Sequence, residues 1–404
     1  MKGTESELES QRLAQRGLDA LNLFVANIQT GFGPFIAIYL ATRHWTQAAI
    51  GFALSVGTMT SMVSQIPAGA LVDLAPSKSS VGFASLLAFG VSALLLAIAP
   101  SPIFVYVAEL LHGFSSCTLG PAVAAISLGL AGRSVLGLRL GRNTRFAAMG
   151  NAMGAALMGA AGYFVSERSV FFLTASLTVP ALVTVLPVLQ VERPGAWSRV
   201  DPDASARTHA NRILAILLDR RFFVFALAIA LFTLGDSAML PLAGTGLAKS
   251  SGRDADLLIA AGILLPQAVA AVISPALGRL AESRGRRPVL LLGFGALPLR
   301  GILLAFAAHS DWIVAIQALD GLAAACLGTM IPLVTADLAA GSGHYNVSLG
   351  VIGLAMGLGA TLSTAVAGEV ADRLGDPSAF ALLAISGLAA LILVGAVMPE
   401  TRPR

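Results

Sequence analysis

Apolar residues in this chain come in long runs rather than in the spaced stripes of a water-facing element. A bilayer core of about 30 Å takes roughly 20 apolar residues per helix. Twelve such runs can be placed with short connections, at 19–42, 47–72, 80–99, 102–130, 146–165, 169–190, 222–247, 256–277, 288–307, 312–336, 348–370 and 378–398. The pattern predicts an all-α integral membrane protein with twelve transmembrane helices, and an even number returns both termini to one side. The one long connection, 192–221, carries Pro, Asp, His and six arginines and divides the runs into two sets of six. The predicted organisation is a lead-in (1–18), a six-helix bundle (19–191), a linker (192–221), a second six-helix bundle (222–398) and a tail (399–404).

The two sets repeat one another at an offset of about 208 positions. Glu109-Leu-Leu-His-Gly-Phe-Ser-Ser-Cys-Thr-Leu-Gly120 aligns with Gln317-Ala-Leu-Asp-Gly-Leu-Ala-Ala-Ala-Cys-Leu-Gly328, and Gly69 and Asp73 align with Gly278 and Glu282. One offset relating glycines, intramembrane polar residues and charged connections predicts a parallel, pseudo-two-fold pair of bundles.

Composition agrees with the pattern. The chain is 56% hydrophobic and 12% charged, with mean hydropathy +0.80, against about 25% charged residues in soluble domains. The net charge of +4 reflects topology rather than a nucleic-acid surface. Of 26 Lys and Arg, 20 fall in segments that share one side, 5 fall on the other, and Arg300 lies inside a run. Positive residues mark the cytoplasmic side, so the sequence predicts a multi-pass protein of the inner (plasma) membrane with cytoplasmic termini. Residues 1–17 lack the short apolar core of a cleavable signal. Cys117 and Cys326 lie in apolar runs, with no disulfide framework, metal spacing or cofactor motif. Neither a G-x-S-x-G elbow nor a P-loop occurs, so no enzyme activity or ATP drive is predicted, and energy must come from a gradient.

The charged stretch Gly278-Arg-Leu-Ala-Glu-Ser-Arg-Gly-Arg-Arg-Pro288 interrupts the second set as a tight membrane-surface loop. It resembles the connection between the second and third helices of the major facilitator superfamily, G-x-L-A-[DE]-x-x-G-R-[RK]. A reduced copy, Gly69-Ala-Leu-Val-Asp-Leu-Ala-Pro-Ser-Lys-Ser79, keeps the glycine, the leucine, the acid and one cation but lacks the middle glycine and the arginines. The resemblance implies the fold of that superfamily, a secondary transporter working by alternating access. It assigns Gly69, Asp73, Lys78, Gly278, Glu282, Arg284, Gly285, Arg286 and Arg287 to cytoplasmic gating loops; a simple positive-inside anchor is the alternative.

Ionisable groups inside lipid cost at least about 2.5 kcal/mol on insertion scales, so those present are functional candidates. Glu109 and His112 share one helix face at i, i+3, where many facilitators carry R-x-x-Q-G and this chain reads E-x-x-H-G. Two titratable groups whose solvent access changes suit proton coupling, with a purely structural pair as the alternative. Asp320, the repeat partner of His112, is a second coupling candidate or a counter-ion for Arg300. Asp236, in Gly235-Asp-Ser-Ala-Met-Leu-Pro241, corresponds to Asn27, Gln29 and Thr30 before Gly31-Phe-Gly-Pro34. The resemblance implies that these first and seventh helices line the substrate cavity. Gln65, Asn151, Gln267, Arg300 and Gln317 are further cavity candidates that serve equally well to tie helices together. The glycines at 150, 154, 159 and 162 permit close packing and partly resemble an antiporter signature, with Ala155 in place of its proline and Met158 in place of one glycine.

These readings predict a monomeric transporter whose partners are a small-molecule substrate, protons and the bilayer. Three acids against one arginine and one histidine favour cationic, zwitterionic or amphipathic cargo, a drug or metallophore-like metabolite, moved outward against protons. A proton-coupled importer of a small metabolite uses the same parts, and a non-transporting sensor or lipid-handling protein is a third reading.

Overall fold

Away from water a chain must satisfy its own backbone polar groups, and the α-helix does so within each segment. The computed structural model describes residues 2–98, 101–192, 206–250, 255–307 and 310–402; residues 193–205 of the predicted linker lie outside the described residues. The helices are α1 (Lys2–Thr30), α2 (Gly33–Thr42), α3 (Gln47–Leu74), α4 (Lys78–Ile98), α5 (Pro102–Ala131), α6 (Leu136–Phe164), α7 (Glu167–Val191), α8 (Ala206–Leu218), α9 (Arg220–Asp236), α10 (Met239–Ser250), α11 (Ala255–Arg284), α12 (Arg286–Phe306), α13 (Ser310–Ile316), α14 (Ala318–Leu338), α15 (Tyr345–Leu374) and α16 (Asp376–Val397). Among the described residues, eleven spans are long and apolar enough to cross a bilayer. The twelfth helix of the set is α6, whose first turns carry Arg139, Arg142 and Arg145.

Local chemistry sets many of the ends. Thr46 caps α3 by accepting from Ala49 N–H (3.2 Å), Ser166 caps α7 through Ser169 N–H (3.2 Å), and Asp219 caps α9 through Arg221 N–H (2.7 Å). Each supplies an acceptor to an otherwise orphaned N–H. Three predicted runs are interrupted. The first breaks at Gly31–Phe32, the seventh at Ser237–Ala238 and the tenth at Gln317. The fifth begins ten residues before its predicted start at 146, because Arg139 and its neighbours find polar partners inside the helix, such as Asn143 Oδ1 at 2.8 Å from Arg139 Nε.

The chain forms two compact units. One comprises Met1–Leu136, Phe146–Ala204 and Gly341–Gly350; the other comprises Gly137–Arg145, Ser205–Ala340 and Val351–Arg404. The start of α6 thus packs with the second unit and the start of α15 with the first. The first unit's core joins Leu18, Leu21, Ile28, Phe32, Tyr39, Phe89, Leu96, Phe171 and Val185, all essentially inaccessible. Large apolar side chains such as Phe52, Val63, Tyr163 and Phe306 are exposed instead, the surface expected of helices solvated by lipid.

Glycine sets the closest crossings. In the first unit a Cβ at Gly69 would lie 2.1 Å from Asn346 O, and one at Gly350 2.3 Å from Gln65 O. In the second, a Cβ at Gly141 would lie 2.5 Å from Ser274 O, and one at Gly278 2.4 Å from Gly137 O. Here α3 meets the start of α15, and α11 meets the start of α6, backbone against backbone.

Candidate functional site

Each unit buries a polar cluster within its apolar spans, where helices cross. In the first, Glu109 is 3% exposed and Gly57 of α3 makes room for it, since a Cβ at Gly57 would fall 1.9 Å from Glu109 Oε2. That oxygen lies 3.8 Å from Nδ1 of the half-buried His112, beyond hydrogen-bond reach. Glu109 Oε1 and His112 Nδ1 are both buried without a hydrogen-bond partner. The imidazole is stacked on Phe32, with ring centroids 4.2 Å apart and planes at 17°, and meets the edge of Phe89 at 5.2 Å. The break between α1 and α2 delivers Phe32 to this position. Asn27, one turn earlier, is also buried and its Oδ1 has no partner.

The second unit's cluster is built on Arg300, 1% exposed near the middle of α12. Its Nη1 donates to Asp236 Oδ1 (2.7 Å) and Asp320 Oδ1 (2.8 Å). Its Nε and Nη2 both donate to Gln317 Oε1, at 3.1 and 2.7 Å. Asp236 closes α9 at one helix break and Gln317 stands at another, with Asp320 in the first turn of α14. An acid there is favoured by the helix dipole. The carboxylate side chains remain 30% and 23% exposed, so one buried guanidinium faces two partly open acids. With all three ionised, the cluster carries a formal charge of −1.

A pocket of about 220 Å³ adjoins this cluster, lined by Leu240, Pro241, Ala243, Gly244, Gly262, Ile263, Ile313, Val314 and Gln317. Of the other predicted cavity residues, Gln29, Thr30, Gln65, Asn151 and Gln267 are partly buried. Thr30 is turned back onto its own helix, donating to Ala26 O (2.9 Å).

The residues predicted in gating loops are mostly helical, which corrects the loop reading. Gly69 and Asp73 lie in α3, Lys78 opens α4, Gly278, Glu282 and Arg284 lie in α11, and Arg286 and Arg287 open α12. Gly285 alone separates α11 from α12, at φ +100°. Side chains satisfy the helix ends and make such short connections possible. Lys78 Nζ donates to the carbonyls of Val72, Asp73 and Ala75 (2.8–2.9 Å), while Glu192 accepts from the N–H groups of Lys78 (2.7 Å) and Ser79 (2.9 Å). In the second unit Arg286 donates to Ala281 O (2.8 Å), Glu282 Oε2 (3.1 Å) and Asp337 Oδ2 (3.1 Å). Glu400 accepts from Arg286 N–H (2.8 Å) and Arg287 N–H (3.1 Å). Burial pushes the Glu400 carboxyl up, but the backbone N–H groups of Arg286, Arg402 and Arg287 outweigh it and hold it below the ordinary glutamate value.

The two acids of the repeated motif play matching parts. Asp73 accepts from Asn346 N–H (3.1 Å), Asn346 Nδ2 (2.7 Å) and Val347 N–H (2.9 Å) at the start of α15. Glu282 Oε1 accepts from Gly137 N–H (2.6 Å) at the start of α6. Arg286 is buried, whereas Arg284 and Arg287 are exposed. Sequence reasoning missed Glu192, Glu400, Phe32, Phe89 and Gly57. The repeat offset was a signal for the first two, which stand 208 positions apart.

Comparison with known proteins agrees with this architecture. The profile of the Major Facilitator Superfamily matches residues 19–270 and 225–404. An uncharacterised MFS-type transporter of Mycobacterium tuberculosis is 35% identical over 396 residues, covering 96% of this chain and 93% of the relative. Among solved structures, FucP in the outward conformation has TM-score 0.76 at 16% identity, over 96% of this chain and 99% of that one. The proton:xylose symporter XylE has TM-score 0.73 at 13% identity, over 99% and 97%. The human organic anion transporter MFSD10 has TM-score 0.73 at 15% identity, over 95% and 99%. At these identities the structural likeness concerns the fold.

Proposed function

Because the chain belongs to the Major Facilitator Superfamily and is one of its multi-pass membrane transporters, we propose that it exports small organic cations or amphipathic zwitterions in exchange for protons. The observation that carries this reading is the Glu109–His112 pair. A buried carboxyl and a half-buried imidazole lie 3.8 Å apart, and each has a buried polar atom, Glu109 Oε1 and His112 Nδ1, without a hydrogen-bond partner. A buried polar atom without a partner is costly, and a proton on either group, with a side-chain rotation that closes the 3.8 Å gap between Glu109 Oε2 and His112 Nδ1, lets the two pair. Opening this site to water on one face and then on the other converts that proton into a coupling ion.

Cargo charge follows from the Arg300 cluster, whose two acids outnumber its single guanidinium. A cation neutralises the excess, whereas a dianion would need paired Arg or Lys. In this reading Asn27, Gln29, Thr30, Gln65, Asn151, Gln267 and Gln317 line the path, with Asp236 and Asp320 sensing cargo and proton together. The arginine-rich end is cytoplasmic in the inner membrane. There Asp73 and Glu282, each holding the start of a helix from the other half of the sequence, close the path in one state and release it in the other. Each chain contains one complete pathway and works as a monomer.

Proteoliposomes with an acid interior and a panel of organic cations and zwitterions test the proposal. Wild-type protein accumulates at least one compound while the pH gradient lasts, and Glu109→Gln and His112→Ala bind it without accumulating it. Undiminished accumulation in both variants refutes the assignment of coupling to this pair.

A further inference from the structure

The pocket beside Gln317 is a partly open recess lined by α10, α11 and α13, and apart from that glutamine its walls are Leu, Ile, Val, Ala, Pro and Gly. It touches the charged cluster in two ways. Gln317 is both a wall of the pocket and a ligand of Arg300, and Leu240 and Pro241 follow Asp236 in sequence just across the break at Ser237–Ala238. An apolar recess thus shares one residue, Gln317, with the cluster that holds two partly open carboxylates.

We infer that this is a two-part ligand site for compact organic cations, with one aromatic ring or branched alkyl group in the pocket and the positive head against Asp236 and Asp320. Three observations carry the assignment. The cluster has one more acid than base and leaves those acids accessible. The pocket is apolar and shares Gln317 with that cluster. Its size fits a single ring, since a dry cavity of about 150 Å³ accepts benzene and this one holds about 220 Å³. An amphipathic cation complements both halves, while a fatty acid would set a carboxylate against two others. The inference deepens the function proposed above and rests on it only for the positive charge of the cargo.

Two glycines in the wall provide the test. A Cβ at Gly262 would sit 3.9 Å from Gln317 Cγ and 4.0 Å from Leu240 Cδ1, and one at Gly244 meets nothing within 4 Å. A Cβ is tolerated at both of these pocket-lining positions, and glycine is the poorer helix former. Calorimetric titration of the full chain in nanodiscs compares tetramethylammonium, benzyltrimethylammonium and benzoate. Burial of the ring makes benzyltrimethylammonium bind about tenfold or more tighter than tetramethylammonium in the wild type. Gly262→Leu and Gly244→Leu each bring the two cations within about threefold of one another. Asp236→Asn combined with Asp320→Asn weakens both cations alike, and benzoate does not bind.

Equal affinity of both cations for the wild type, a ring preference that survives both glycine variants, or no binding of either cation overturns the site. Ring-selective binding that disappears in the glycine variants, without proton-driven flux, supports the site and refutes the coupling reading alone. Flux of organic cations without ring preference refutes the site alone.

Discussion

Arg300 holds the second unit's polar cluster together, and replacing it tests the charge accounting directly. Arg300→Met keeps an unbranched side chain but removes four charge-assisted bonds, at 2.7 and 2.8 Å to the carboxylates and at 2.7 and 3.1 Å to Gln317. Asp236 and Asp320 are then left against each other with no cation between them. Removing one partner of a buried ion pair costs about 3–5 kcal/mol. An unfolding entropy of about 2.1 cal/mol/K per residue over 404 residues gives roughly 0.85 kcal/mol/K, so the expected fall in Tm is about 4–6 °C. Adding Asp236→Asn and Asp320→Asn removes the stranded charge and recovers most of the loss. Thermal melting of the purified protein, followed by loss of the monodisperse chromatographic peak, reads both effects. A single variant melting within about 1 °C of the wild type, or a triple variant no more stable than the single, refutes the electrostatic account.

Other consequences follow from single contacts. Gly57→Ala places a methyl group where Glu109 Oε2 now lies, 1.9 Å from the new Cβ; ligand-induced proton release is expected to fall while the melt stays near that of the wild type, and an unchanged release profile counts against the notch. Gly285→Ala combines a left-handed φ of +100° with a Cβ 2.7 Å from Glu400 Cδ, and is expected to cost about 1–3 kcal/mol in strain alone, read as a lower Tm. Because the folded-state value of Glu400 is depressed, its stabilising contribution is present above the unfolded glutamate value and is lost as pH falls through the folded one. Glu400→Gln therefore melts below the wild type at pH 7, and the two melts converge under acid conditions; a gap that persists unchanged into acid refutes the role of its charge.

The twelve runs were legible because lipid imposes length and apolarity on every spanning helix, and the repeat was legible because both halves solve the same packing problem. Candidate residues could be read for the same reason: an arginine or acid inside an apolar run stands out, so Glu109, His112, Asp236, Arg300 and Asp320 are visible without coordinates. Their partners are less visible. Phe32 and Phe89 look like ordinary core residues until the helix break at Gly31–Phe32 sets a ring on His112. Glu192 and Glu400 look like flank charges, because helix capping across more than a hundred residues leaves no local spacing. The charged stretch at 278–288 reads as a loop because its charge suggests water. Pairing of Arg286 and capping by Glu400 instead extend the helices until a single glycine separates them.

The glycine crossings carry a genetic consequence. At Gly278 the facing residues are Gly137 and Gly141, and at Gly69 the obstacle is the main chain of Asn346 and Val347. A bulky substitution in a side-chain interface can be relieved by trimming its neighbour. Here the neighbour is already a glycine or is backbone that no codon removes. Loss-of-function changes at these positions should therefore lack suppressors at the facing residues, and revertants should arise by restoring glycine itself or by changes elsewhere that alter how the helices approach.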